Sequence, residues 1–68
     1  MGFETVVLNK VAKVLKSDNQ ASFTSGTLFV ACEENEARKV FHKLSKEYGL
    51  GKVYVSGPIF GEFAFDFV

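Results

Sequence analysis

The chain has 68 residues, which suits a single small α+β domain spanning 1–68. Eight basic side chains balance eight acidic ones, so there is none of the basic excess that neutralises nucleic-acid phosphates. A lone cysteine, Cys32, excludes an internal disulfide and a cysteine-built zinc site.

Apolar burial must therefore hold the fold, and a hydrophobic fraction of 47% with eight phenylalanines supplies it. No apolar run reaches the roughly 18 residues of a membrane span. Charges at Glu4, Lys10 and Lys13 interrupt what would have to be the unbroken core of a signal peptide. The expected setting is cytoplasmic, with no membrane partner.

In chain order, Phe3 to Lys16 is expected to be a helix. Phe3, Val7, Val11 and Val14 recur at three- and four-residue spacing, with Leu8 and Leu15 beside them. At about 100° per residue, the apolar arc including Val6 and Leu8 spans roughly 200°, wider than one sheet face requires. The surplus at Val6 and Leu8 is a candidate partner-binding surface. Ser17-Asp18-Asn19-Gln20 punctuates the chain.

Ala21 to Thr24 and Thr27 to Cys32 flank Ser25-Gly26 and predict a hairpin with a two-residue turn. That register turns Ala21, Phe23, Leu28, Val30 and Cys32 to one face, and Ser22, Thr24, Thr27 and Phe29 to the other. Glu33 to Tyr48 predicts a second helix, with Ala37, Val40, Phe41, Leu44 and Tyr48 as its stripe. Acids open it, Lys43 and Lys46 lie near its end, and Gly49 supplies a left-handed stop. Lys52 to Ser56 and Glu62 to Val68 predict a second hairpin around Gly57 to Gly61. Phe63, Phe65 and Phe67 form an inward aromatic row.

The expected fold is a two-layer α+β sandwich, with two helices on one face of a four-stranded, mainly antiparallel sheet. The strand–helix–strand passage should cross right-handed. If its strands are parallel with room for one between, the last strand fits there. This element order resembles a ferredoxin-like domain circularly permuted, its first strand moved to the end.

No catalytic, cofactor-binding or metal-binding set emerges. Cys32 sits before a helix N-terminus, where a thiol pKa can fall. His42 lies some 13 Å further along that helix at 1.5 Å per residue, beyond the reach of a dyad. Both have plainer roles, Cys32 as a small core residue and His42 as a solvated one. Glu33, Glu34 and Glu36 are ordinary dipole complements rather than metal ligands. Gly49-x-Gly51 runs from helix to strand, the reverse of a phosphate loop.

Two surfaces remain. Ile59 and Phe60 lie at a turn tip that is normally polar, so they either fold back on the core or meet a partner. With Val6 and Leu8 they point to a non-catalytic interaction or assembly domain, partnered by its own copies or by another protein. The alternative is a single-stranded nucleic-acid module that stacks bases on Phe29 and Tyr54 beside Lys52. Acids on that face oppose it, and the plainer reading of Phe29 and Tyr54 is a cross-strand packing pair, or two residues covered by another subunit.

Overall fold

A computed structural model describes residues 2–15 and 20–68. Helix α1 (Phe3–Ala12) is followed by strands β1 (Gln20–Thr24) and β2 (Thr27–Ala31). Helix α2 (Glu34–Tyr48) leads to β3 (Val53–Ile59) and β4 (Glu62–Phe67). The sheet order is β1-β2-β4-β3, every neighbouring pair antiparallel. The last strand thus lies between β2 and β3, which are parallel to each other. This is the order of a ferredoxin-like sandwich with its first strand moved to the end.

The hydrophobic patterning accounts for the layers. Phe63 and Phe65 pair with Val30 and Leu28 and turn inward with them. Val7 and Val11 of α1 and Ala37, Val40 and Leu44 of α2 close over that face. Each fully buried large side chain contributes about 1.5–3 kcal/mol, and Phe65 is the largest of them. At one end Phe3, Phe23, Tyr48 and Phe67 form an aromatic cluster, with Phe3 and Phe67 edge-to-face at 5.2 Å. Such pairs add about 0.5–1.5 kcal/mol beyond burial.

The boundaries depart from expectation in three places. The first helix ends at Ala12 rather than Lys16, and Lys16 to Asn19 lie outside the described residues. The N–H groups of Val14 and Leu15 both donate to the Val11 carbonyl, tightening the chain into a turn that lays Val14 and Leu15 against the core. Gly49 ends α2 at φ 108° and ψ 137°, an extended mirror conformation open to glycine rather than the left-handed helical one.

The third departure is the second hairpin, where β3 continues past Gly57-Pro58 to Ile59. A register shift between Ser56 and Ile59 absorbs those two residues and lets Ile59 pair with Glu62. Gly57 is required there. Its φ is 111°, and a Cβ would lie 2.9 Å from the Glu62 carbonyl oxygen. The turn itself is Phe60-Gly61, with φ of 52° and 78°, the positive pair that a type I′ turn needs. Ser25-Gly26 repeats the arrangement at 52° and 80°, as its sequence predicts.

Candidate interaction surface

The edge strand β3 and the turn after it carry the exposed apolar surface. Val68 N–H donates to the Lys52 carbonyl at 2.9 Å. That bond makes Val53–Phe67 a non-hydrogen-bonded pair, since the ladder alternates. Tyr54 and Ser56 therefore bond to β4, while the N–H and C=O groups of Val53 and Val55 point away from it. No strand of the described residues lies on that side.

Most of the exposed side chains along this edge are apolar, Ser56 excepted. Ile59 is 61% exposed and Phe60 fully so. The tip thus does not fold back on the core. Val55, assigned to the inward face, is 41% exposed because α2 leaves the rim of the sheet uncovered. A groove of about 330 Å³ opens there, with Ala37, Phe41 and His42 on one wall, Val55 on the other and Phe63 in the floor. Glu34 and Arg38 also line it, paired with each other at 2.7 Å.

Val6 and Leu8 stand apart from this surface. Leu8 packs against the core and Val6 is half-buried. Much of the wide apolar arc of α1 is thus absorbed within the sandwich.

The open sheet face carries Tyr54 and Lys52 exposed and Phe29 half-buried. Because β4 intervenes, Phe29 lies opposite Ala64 and Tyr54 opposite Asp66, so the two aromatics are not a cross-strand pair. Between them Thr27 Oγ1 donates to Asp66 Oδ1 at 2.7 Å. Exposed Glu62 and Asp66 make the face acidic beside its aromatics.

Cys32 is half-buried and packs against the core. Burial pushes its thiol pKa up, and the Glu36 carboxylate adds to the rise, so the helix N-terminus does not activate it. His42 is exposed on α2. Among the described residues no three of His, Cys, Asp and Glu gather to hold a metal ion, and no helix is long and apolar enough to cross a membrane.

Two features escaped the sequence reading. Leu50, between two glycines, reads as turn punctuation yet is 86% exposed. Lys39, Lys43 and Lys46 form, with Arg38 and His42, a basic row along α2 facing Val14. Their spacing of three and four residues was the available signal. No protein-family model matches the chain, and no curated protein or solved structure matches it either.

Proposed function

We propose that this chain is a small non-catalytic interaction or assembly domain that associates with copies of itself. The observation that carries the reading is Phe60, a bulky aromatic held at positive φ on a turn tip and fully exposed. That placement costs backbone strain and leaves apolar area in water, both of which a protein contact would offset. Ile59 beside it and the edge of β3, which no strand of the described residues covers, extend the same patch. Zero net charge leaves little repulsion to oppose association. A cytoplasmic setting, where a free thiol stays reduced, accords with Cys32.

Sedimentation velocity across micromolar to near-millimolar concentrations tests the proposal. The expected result is a concentration-dependent oligomer that reverts to monomer in the Ile59→Asp/Phe60→Asp variant. A chain that stays monomeric throughout would remove the basis of the reading. Base stacking on Tyr54 is the weaker alternative, because Glu62 and Asp66 share its face and repel phosphates.

A further inference from the structure

Resting on that self-association, we infer that two copies pair antiparallel through their β3 edges, with Tyr54 on the two-fold axis. The tip of each copy then packs against Leu50 of the other.

The backbone sets the register. Only Val53 and Val55 turn both polar groups outward within the regular part of β3. Centred on Tyr54, the pairing sets Val53 opposite the partner's Val55 and satisfies every one of these groups in both copies. Centred on Val55, it would set Val53 against the partner's Gly57, inside the bulge at φ 111°. Centred on Val53, it would set Val55 against the partner's Gly51, outside the strand at φ 88°. Pro58 has no N–H, so the ladder stops there.

The side chains agree with this register. On the open face Lys52 stands opposite the partner's Ser56, so no like charges meet, and its ammonium faces a surface whose acids are Glu62 and Asp66. On the helix side the partner's Val53 covers Val55. Beyond the ladder, Pro58 and Ile59 run alongside the partner's Leu50 and Gly49. Leu50, Tyr54, Val55, Ile59 and Phe60 are thereby gathered into one seam. Among the described residues only Phe3 and Val68 remain as large exposed apolar side chains outside it. The two-fold uses both β3 edges and leaves the polar β1 edges outermost, so assembly closes at a dimer.

The test reads the backbone and the axis separately. N-methylation of Val55 in the synthetic full chain removes an outward N–H without touching the β4 ladder. It should weaken the dimer at least ~tenfold, for two interchain hydrogen bonds lost per dimer, with the monomer's circular dichroism unchanged. In a Cys32→Ser background, Tyr54→Cys should form an interchain disulfide on air oxidation, since facing non-bonded positions lie within disulfide range. Lys52→Cys and Ser56→Cys should not link alone, yet should link when mixed. A dimer that keeps its affinity after N-methylation and does not link through position 54 overturns the edge pairing and leaves self-association standing. A monomer at near-millimolar concentration overturns both.

Discussion

Phe60 sets local stability against use. A two-residue turn with both φ values positive favours Asn-Gly or Asp-Gly, and an aromatic side chain at φ 52° is an outlier. Phe60→Asn should therefore raise the stability of the monomer by up to about 1 kcal/mol, read as a higher Tm at dilute concentration. The same variant should associate more weakly in sedimentation. A lower Tm would mean that the ring stabilises its own hairpin. Leu50 illustrates the limit of reading single residues: a lone apolar residue between glycines carries no periodicity, so its side is undetermined until the turn is built.

The two helices show what element-level patterning encodes. The apolar stripe of α2 is clean, and its span follows the expectation to within a residue. The valine-rich periodicity of α1 continues past the point where the helix stops. Val14 and Leu15 still reach the core from a turn, so the pattern alone could not mark the end. The helices are tied by Lys10 Nζ, which donates to Glu47 Oε2 at 3.0 Å. That hydrogen bond, with the lysine's charge, holds the Glu47 carboxyl below its ordinary pKa of 4.5. A carboxyl with a lowered folded-state pKa stabilises the fold above its unfolded value, and the contribution disappears as pH falls through the folded value. Acid unfolding should accordingly show a small component below about pH 4.5 that Lys10→Met lacks and that high salt diminishes. Tm profiles against pH for the two proteins check it; parallel curves would show that the pair contributes nothing.

For the whole molecule, the permuted topology makes its own prediction. The ring of Phe3 at the start of α1 touches that of Phe67 at the end of β4, with centroids 5.2 Å apart. Joining Val68 to Gly2 by a short Gly/Ser linker and opening the chain between Phe60 and Gly61 would restore the ferredoxin-like strand order. That permutant should retain its far-UV circular dichroism and a cooperative melt, because every strand pairing survives. It should associate more weakly, since the Phe60 tip is cut while the β3 edge is kept. Loss of cooperative melting would show that the β3–β4 turn is needed to set the register.

Periodicity by itself determined which residues turn inward: Leu28, Val30, Phe63 and Phe65 all lie on the predicted side. It also determined both helices, the four strands and the first turn, because each of these is a local property of backbone repeat and φ preference. The candidate surface was legible only at Ile59 and Phe60. Element order already offered β4 a place between β2 and β3; tertiary structure decided that β2 and β3 leave room for it, and so that β3 is the rim. It also decided that α2 stops short of Val55, and that Val53 and Val55 turn their polar groups outward. These are consequences of which strands become neighbours, and that is settled by packing the two layers together rather than by the repeat of any one segment.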